Sequence, residues 1–459
     1  MAPERFFLEL DPPQASLRSL PHVVIVGGGF AGIKAAQALR GQPVRVTLID
    51  KRNFNLFQPL LYQVATGLVA EADVASPLRQ LVGSAPNIQI LLGEVDDIDP
   101  EAREVVFNDR RYRYDHLILA TGSGSSYFGH EEWRAEAPPM KILEHADEIR
   151  RRVLMALEEA EQTPDPERRR LLQTAIVIGG GPTGCELAGS LIELMRHAIS
   201  RDFKQLDASQ SRVVLIDPGD RVLRAMHPSL SEAAGRHLQS VGVELQLGSR
   251  VQSISNGAVV VGVKQADGSS ETRTLAGGTV CWTAGVRASH LGKLLAERTG
   301  CEVDRGGRVV VDHDFSIPNH PEIRVVGDLC SYSHTADGKP LPGMAGPAVQ
   351  MGTWVARDIV ARGQGSSQQS FRFTDFGSMA VIGRNYAVAD LRGFRVSGPL
   401  GWLLWGLAHL AFMPDSENRL TLLTKWLWQI ATSQRASLVI TGHTNQHMGV
   451  EAVSYTHLR

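Results

Sequence analysis

The sequence predicts an α/β fold, because short β-branched strands alternate with helical patterns and one pattern of strand, glycine turn and helix occurs twice. The second copy begins 152 residues after the first. Two copies in one chain predict two nested Rossmann-like dinucleotide-binding domains. An apolar, tryptophan-rich stretch near the carboxyl end predicts a further part, an amphipathic membrane-associated segment.

The first copy follows a buried strand over His22–Val26. Gly27, Gly29 and Gly32 come next in GxGxxG spacing, and a helical pattern follows them. The first glycine permits a tight turn, the second lets a pyrophosphate approach the backbone, and the third lets the helix pack closely on the strand. The next strand ends in Asp50, 18 positions after Gly32, where a carboxylate can accept hydrogen bonds from a ribose.

The second copy has the same order of strand, turn and helix. The three glycines of its turn are Gly179, Gly181 and Gly184. The following strand ends in Asp217, 33 positions after the last of these glycines, which is a longer spacing than usual. A carboxylate there repels a 2′-phosphate and favours NADH. Nearby Arg221 and Arg224 leave NADPH as an alternative coenzyme. Two dinucleotide sites in one chain indicate electron transfer, usually between a flavin and a nicotinamide.

Composition and residue spacing limit the partners and the kinds of chemistry that we expect. The formal net charge of −2 gives no basis for expecting nucleic acid. The four cysteines are widely spaced without a CxxC or metal-ligand pattern, which argues against a dithiol redox mechanism. His443 and His447 have HxxxH spacing but no obvious third ligand, so we assign no metal site. The amino end has no continuous apolar run, so we expect no signal peptide and a cytoplasmic protein.

Several further motifs resemble those of a known group of flavoproteins. They are residues 119–122 (LATG), 326–328 (VGD), 53–62 (NFNLFQPLLY), 180–189 (GGPTGCELAG) and 282–287 (WTAGVR). Together they are similar to the motifs of type II NADH dehydrogenases, the single-subunit NADH:quinone oxidoreductases of the two-dinucleotide-binding flavoprotein fold. The resemblance covers about residues 20–440.

The resemblance implies two cofactors and the residues that hold them. FAD is implied at the first glycine turn and NADH at the second. The residues implied for FAD are Gly27, Gly29, Gly32, Asp50, Gly122, Asp328 and Ala348, and those implied for NADH are Gly179, Gly181, Gly184 and Asp217.

Two residues are candidates for catalysis. The resemblance places Glu186 near the stacked nicotinamide and flavin, with a role in the quinone half-reaction, whereas the sequence alone also allows an ordinary helix-terminal carboxylate. The family's quinone motif usually has two glutamines, but Gly346 replaces the first here. Gln350 is therefore either the quinone-contacting residue or a polar residue at a helix start. Arg384 either faces the quinone pocket or lies in solvent, and we interpret Cys185 as a buried apolar residue rather than a sulfide-reactive thiol.

The C-terminal region predicts a contact with the membrane. Residues 399–413 (PLGWLLWGLAHLAFM) carry no charge unless His409 is protonated and are too few to span a bilayer, and a second apolar pattern follows over 420–431. Four of the seven tryptophans lie in these two stretches, and tryptophan favours the headgroup interface. We expect monotopic insertion at the cytoplasmic face of the cell membrane. The alternatives are packing at a dimer interface or the core of a small C-terminal domain.

These observations divide the chain into successive parts. Residues 1–20 are a peripheral amino terminus, and residues 446–459 are a tail. The parts between them are the first FAD part (21–125), the NADH domain with its helical connection (126–290), the second FAD part (291–370) and the membrane-association region (371–445).

The resemblance implies an NADH:quinone oxidoreductase that does not pump protons. Hydride would pass from NADH to FAD, and two electrons would then pass to a membrane quinone. Two alternatives stay open: a soluble NADH oxidase or diaphorase, and a nucleotide-sensing flavoprotein that acts mainly through partner binding. The expected partners are a quinone, the membrane surface and a second copy of the chain, without nucleic acid.

Overall fold

The computed structural model describes residues 17–264, 270–432 and 438–441. Most of the predicted amino terminus, the predicted tail and the pair His443 and His447 lie outside these ranges. The helices, in chain order, are α1 (Phe30–Ala38), α2 (Leu61–Ala65), α3 (Glu71–Val74), α4 (Leu78–Val82), α5 (Trp133–Glu136), α6 (Leu143–Gln162), α7 (Pro166–Leu172), α8 (Pro182–Asp202), α9 (Pro228–Ser240), α10 (His290–Thr299), α11 (Ala345–Gly363), α12 (Pro399–Phe412) and α13 (Ser416–Thr432).

Strands from distant parts of the chain share sheets. In chain order they are β1 (His22–Val26), β2 (Arg45–Asp50), β3 (Phe54–Leu56), β4 (Ala75–Pro77), β5 (Ile88–Leu92), β6 (Val95–Asp99), β7 (Glu104–Phe107), β8 (Arg110–Arg113), β9 (His116–Leu119), β10 (Ser123–Ser125), β11 (Thr174–Ile178), β12 (Arg212–Asp217), β13 (Val243–Leu247), β14 (Ser249–Ser255), β15 (Ala258–Lys264), β16 (Ser270–Ala276), β17 (Thr279–Trp282), β18 (Val286–Ala288), β19 (Val309–Val310), β20 (Ser316–Ile317), β21 (His320–Val325), β22 (Cys330–Ser331), β23 (Ser378–Gly383), β24 (Tyr386–Leu391) and β25 (Phe394–Gly398).

The first nucleotide-binding unit is a six-stranded sheet with the order β20-β21-β9-β1-β2-β5. Its pairs are parallel except for β20 with β21. Every residue of β1 is buried, as expected for an apolar β-branched run at the centre of a parallel sheet. Because β20 and β21 lie more than 190 residues after β9 in the chain, the first unit is completed only after the second has been inserted.

The second unit is a four-stranded parallel sheet with the order β13-β12-β11-β17. An antiparallel sheet of β14, β15 and β16 lies against it, and their apolar residues share one core. The short antiparallel pair of β10 and β18 joins the two units. This nesting agrees with the fold class that the repeated motif predicts, while the exact domain boundaries stay predictions.

The C-terminal part is an antiparallel sheet of β23, β24 and β25 followed by α12 and α13. Polar contacts fasten α13 to residues that are more than 340 positions earlier. The indole N–H of Trp426 donates to Gln63 at 3.0 Å, and Lys425 forms an ion pair with Asp73. Among the described residues, we find no helix with both the length and the hydropathy needed to cross a bilayer.

Helix α11 crosses α1 at very short range, and this crossing holds the helix that follows the first glycine turn. A Cβ added at Gly352 would lie 2.1 Å from the backbone oxygen of Ala31. Only glycine therefore allows the two helix backbones to approach this closely.

We predict that Gly352→Ala lowers the free energy of unfolding by about 2 kcal/mol, because its methyl group overpacks the helix crossing. Gly363→Ala is the matched control on the same helix, since a Cβ there meets no atom within 4 Å. The control should leave the free energy of unfolding unchanged or raise it by up to about 1 kcal/mol. Denaturant titration of both variants measures this, and equal losses would contradict the close crossing.

Candidate functional site

The first glycine turn has the geometry that its spacing predicts. Gly27 adopts φ +103°, and a Cβ added there would lie 2.4 Å from the carbonyl oxygen of Ala120. A Cβ at Gly32 would lie 1.8 Å from the carbonyl oxygen of Gly27, whereas one at Gly29 would meet nothing within 4 Å. The outer glycines thus allow close packing, and the middle glycine leaves room above the helix amino terminus for a phosphate.

Asp50 is held by the backbone of this turn. Its carboxylate accepts hydrogen bonds from the N–H groups of Gly28 at 2.5 Å and Arg52 at 2.7 Å. Burial raises the pKa of Asp50, and these two hydrogen bonds act against that shift. One cavity, which we call the first-turn cavity, is lined by most of the residues that the sequence assigns to FAD. These are Gly27, Gly29, Asp50, Gly122, Asp328 and Ala348.

Among the polar residues that line the first-turn cavity and were not predicted, two contact Asp328. Ser123 donates its hydroxyl to Asp328 at 2.8 Å, and the ammonium of Lys141 lies 3.7 Å from the same carboxylate. Lys141 brings a positive charge to the cavity from a loop before α6. No local motif marks that lysine, so the sequence pattern offers no signal for it.

The second turn repeats the geometry of the first. A Cβ at Gly179 would lie 2.8 Å from the amide nitrogen of Ala284, and one at Gly184 would lie 1.7 Å from the carbonyl oxygen of Gly179. A Cβ at Gly181 meets nothing within 4 Å. This turn therefore also has two packed glycines around an open one.

Asp217 takes the same position at the second turn as Asp50 takes at the first. Its carboxylate accepts hydrogen bonds from the N–H groups of Gly180 and Gly219, each at 2.7 Å. Most of the longer spacing before Asp217 comes from α8, which has 21 residues whereas α1 has 9. Arg224 packs over Gly219 and brings a positive charge close to this carboxylate.

Glu186 lies in the second turn of α8, where that helix meets β23. Burial raises its pKa to about 8, although the backbone N–H of Val381 donates a hydrogen bond to it. Tyr62 is also buried and within electrostatic reach, and its pKa is raised by burial and by Glu186. An exposed carboxylate at a helix amino terminus is instead stabilised in its charged form. The geometry therefore favours a carboxyl that holds a proton at neutral pH.

A second cavity of about 630 Å³ lies among α8, α12, α13 and the turn between β23 and β24. We call it the tryptophan cavity, because Trp402, Trp405 and Trp426 line it. Val381 also lines it, so the residue that binds Glu186 forms part of its wall. Arg384 lines this cavity as well, and its guanidinium donates to the carbonyl oxygen of Ile430 at 3.0 Å.

Aromatic rings connect the first glycine turn with the tryptophan cavity. Phe30, at the first glycine turn, lies edge-on to Phe57 with ring centroids 5.9 Å apart, and Phe57 lies edge-on to His409 at 6.1 Å. His409 stacks on Trp405 at 4.3 Å. Burial lowers the pKa of His409 to about 4, so its imidazole is neutral at pH 7. These four rings form a chain of aromatic contacts between the two cavities.

The side chain of Gln350 is hydrogen-bonded to a residue outside both cavities. Its side-chain nitrogen donates to the carbonyl oxygen of Thr374 and its side-chain oxygen accepts from the N–H of the same residue, both at 2.9 Å. The described residues that line the first-turn cavity and the tryptophan cavity do not include Gln350. Ala348, on the same helix, lines the first-turn cavity. A quinone contact by Gln350 stays a prediction.

Comparison with known proteins identifies the family. A family model described as pyridine nucleotide-disulphide oxidoreductase matches residues 21–352. The chain is 39% identical over 426 residues to the type II NADH:quinone oxidoreductase Ndh of Mycobacterium tuberculosis, covering 91% of this chain and 90% of that relative. This chain belongs to the type II NADH:quinone oxidoreductase family. The family resemblance inferred from the motifs is thereby confirmed.

Other relatives and solved structures agree with this family. The type II NADH:quinone oxidoreductase NdhA of the same bacterium is 37% identical over 428 residues, covering 91% of this chain and 89% of that relative. The structure of NDH2 from Plasmodium falciparum in complex with NADH has a TM-score of 0.83 at 17% identity, covering 91% of this chain and 99% of that chain. A sulfide:quinone oxidoreductase from Aquifex aeolicus has a TM-score of 0.67 at 18% identity, covering 91% of this chain and 92% of that chain. At these identities the two structures show a shared fold.

The cysteines of this type II family member are not placed for disulfide or sulfide chemistry. All four are buried and free. Burial raises the pKa of Cys185 and of the other three thiols, which disfavours the reactive thiolate. Cys185 is thus a buried apolar residue, as the sequence suggested. In the part of the chain that the structure describes, no three histidine, cysteine or acidic side chains group closely enough to hold a metal ion.

Proposed function

We propose that this chain oxidises NADH and passes the electrons to a membrane quinone through FAD. The observation that carries the proposal is the position of Glu186, between the second glycine turn and the wall of the tryptophan cavity. The names of its M. tuberculosis relatives, type II NADH:quinone oxidoreductase, describe the same reaction.

The residues of the two turns fit the two cofactors. Open space above Gly29 and Gly122 leaves room for the extended FAD molecule, and Asp50 lies where a ribose would be bound. The FAD-holding set is Gly27, Gly29, Gly32, Asp50, Gly122, Asp328 and Ala348, and the NADH-holding set is Gly179, Gly181, Gly184 and Asp217. When bound, the flavin accepts a hydride from NADH and gives two electrons to the quinone.

The tryptophan cavity is the proposed site for the quinone. Its three indoles and Tyr62 supply an apolar, aromatic lining that suits a planar ring, and Arg384 supplies a positive charge for the quinone oxygens. The cavity lies against α12 and α13, so a lipid-soluble substrate would reach it from the membrane side. Gln350 stays a second candidate for quinone contact.

Glu186 would supply a proton to this reaction. Reduction of a quinone to a quinol takes up two protons along with two electrons. With a pKa of about 8, the carboxyl of Glu186 is protonated at pH 7 and has a proton close to the cavity wall. Above pH 8 the carboxyl loses that proton and can no longer donate it.

We predict that the rate of quinol formation falls as the pH rises through about 8. Glu186→Gln, which has no titrating proton, should lower this rate by about 100-fold and remove the pH dependence. Anaerobic stopped-flow separates the two half-reactions, and NADH should still reduce the flavin of the variant at close to the wild-type rate. Wild-type quinone turnover in the variant would instead support an ordinary helix-terminal carboxylate.

Asp217 would favour NADH over NADPH. Two backbone hydrogen bonds fix its carboxylate at the second turn, where a 2′-phosphate would meet its negative charge. Arg224 lies close enough to bind a phosphate if that negative charge were removed.

We predict that Asp217→Asn raises the ratio of kcat/KM for NADPH to that for NADH by about tenfold, because loss of the negative charge removes the repulsion. Asparagine keeps an oxygen for the N–H of Gly180. Asp220→Asn, at a side chain that is 78% exposed, is the matched control and should leave the ratio unchanged. Steady-state kinetics with both coenzymes measures the ratio. An unchanged ratio in Asp217→Asn would contradict a role for Asp217 in coenzyme selectivity.

The outer faces of α12 and α13 would bind one leaflet of the cytoplasmic side of the cell membrane, where NADH is available. Both helices expose large apolar side chains at helical spacing instead of burying them. On α12 these are Leu400, Leu403, Leu407 and Phe412, and on α13 they are Leu420, Leu423, Leu427, Trp428 and Ile430. Such faces suit monotopic attachment. The homodimer expected from the sequence stays a prediction, and the same apolar faces offer it a contact.

We predict that Leu407→Glu combined with Leu427→Glu reduces binding to phospholipid vesicles by at least about tenfold, because two charges enter the apolar face. Leu92→Glu combined with Val303→Glu is the control, since these side chains are also exposed but lie on the first unit. Vesicle co-sedimentation measures binding, and reduction of a water-soluble dye checks that the enzyme is intact. Equal vesicle binding by both double variants would contradict attachment through α12 and α13.

A further inference from the structure

Phe128 combines a strained backbone with an exposed aromatic ring. Among the described residues, three apolar side chains lie at positive φ: Phe128 at +55°, Leu223 at +50° and Phe315 at +66°. This region is unfavourable for bulky L-residues, which adopt it only when the surroundings compensate. Leu223 and Phe315 are 1% and 0% exposed, so burial compensates for their strain, but Phe128 is 69% exposed.

The strained conformation of Phe128 is fixed by its neighbours. The N–H of Ser126 donates to the carbonyl oxygen of Gly285 at 3.2 Å, and the indole N–H of Trp282 donates to the carbonyl oxygen of Ser126 at 2.9 Å. The N–H of Phe128 donates to the hydroxyl of Ser126 at 3.2 Å. A Cβ added at Gly285 would lie 2.7 Å from the tip of the Phe128 ring. The ring therefore lies directly against Gly285.

That place is beside the second glycine turn. Gly285 directly follows Ala284, whose amide nitrogen packs against Gly179. The loop that contains both residues leaves the carboxyl end of β17, next to the carboxyl end of β11. In open α/β sheets, ligands bind outside the carboxyl ends of the strands. The exposed face of Phe128 thus lies at the rim of the region where the second turn would hold its ligand.

We propose that Phe128 is a binding residue for the pyridine dinucleotide, which covers its exposed ring. The inference rests on the assignment of the second turn to NADH in the proposed function. Both ring systems of a pyridine dinucleotide have flat faces that can pack on an aromatic side chain. Covering the ring would compensate for the backbone strain, as burial does at Leu223 and Phe315.

The direct test is titration of the oxidised, FAD-loaded enzyme with NAD⁺ by calorimetry, which measures binding without turnover. Phe128→Ala should raise the Kd for NAD⁺ by roughly tenfold, because it removes the ring that the dinucleotide covers. Phe128→Tyr should restore wild-type affinity. Phe394→Ala is the matched control, since Phe394 is 63% exposed on β25, and its Kd should be unchanged.

Phe128→Gly separates binding from a structural role. Glycine adopts positive φ without strain, so the Tm of this variant should equal or exceed that of the wild type. Its Kd for NAD⁺ should still rise as in Phe128→Ala, whereas a purely structural residue would give a lower Tm and weaker binding together. Wild-type affinity in Phe128→Ala, with the wild type itself binding NAD⁺, would overturn the inference and leave the proposed function standing. Failure of the wild type to bind NAD⁺ would overturn both.

Discussion

The close packing at each glycine turn is the constraint on which the rest of the structure depends. In both units the third glycine packs against the carbonyl oxygen of the first, at a distance that leaves no room for a Cβ. In both units an acid from the next strand accepts a hydrogen bond from the turn's second residue, from Gly28 to Asp50 and from Gly180 to Asp217. These contacts fix the amino terminus of the helix above the turn, where its free N–H groups can bind a phosphate.

Helix α8 connects the second glycine turn with the proposed quinone site. Its first turn contains Gly184, the last packed glycine of the second site. Its second turn contains Glu186, and later residues such as Glu193 line the tryptophan cavity. One helix therefore reaches from the dinucleotide turn to the proposed quinone site. Because rigid helices hold relative positions well, this one helix would set the geometry of both proposed sites. The greater length of α8 also moves Asp217 further along the chain without moving it away from the turn.

The glycine turns and their acids could be predicted from the sequence, because their function depends on spacing within one strand, turn and helix. Glu186 was assigned from the family resemblance, and its raised pKa depends on burial against β23, which no local pattern reveals. Lys141 and Phe128 were missed because their partners are distant in the chain. The hydrogen bonds between the Gln350 side chain and the Thr374 backbone were missed for a related reason, since the chain after α11 folds back onto that helix. Gln63 and Trp426 both line the tryptophan cavity and are hydrogen-bonded to each other, although they are 363 positions apart in the chain.

The central claim is that two dinucleotide sites face one reaction zone from which a quinone removes the electrons. Anaerobic spectroscopy of the purified protein tests it most directly. The account predicts a yellow protein whose flavin absorbance is bleached by NADH within seconds and is restored by a quinone. A colourless protein that does not take up FAD would contradict the account, as would a flavin that NADH leaves oxidised, the behaviour of a nucleotide sensor. A reduced flavin that dyes or oxygen reoxidise but a quinone does not would instead indicate a soluble oxidase or diaphorase.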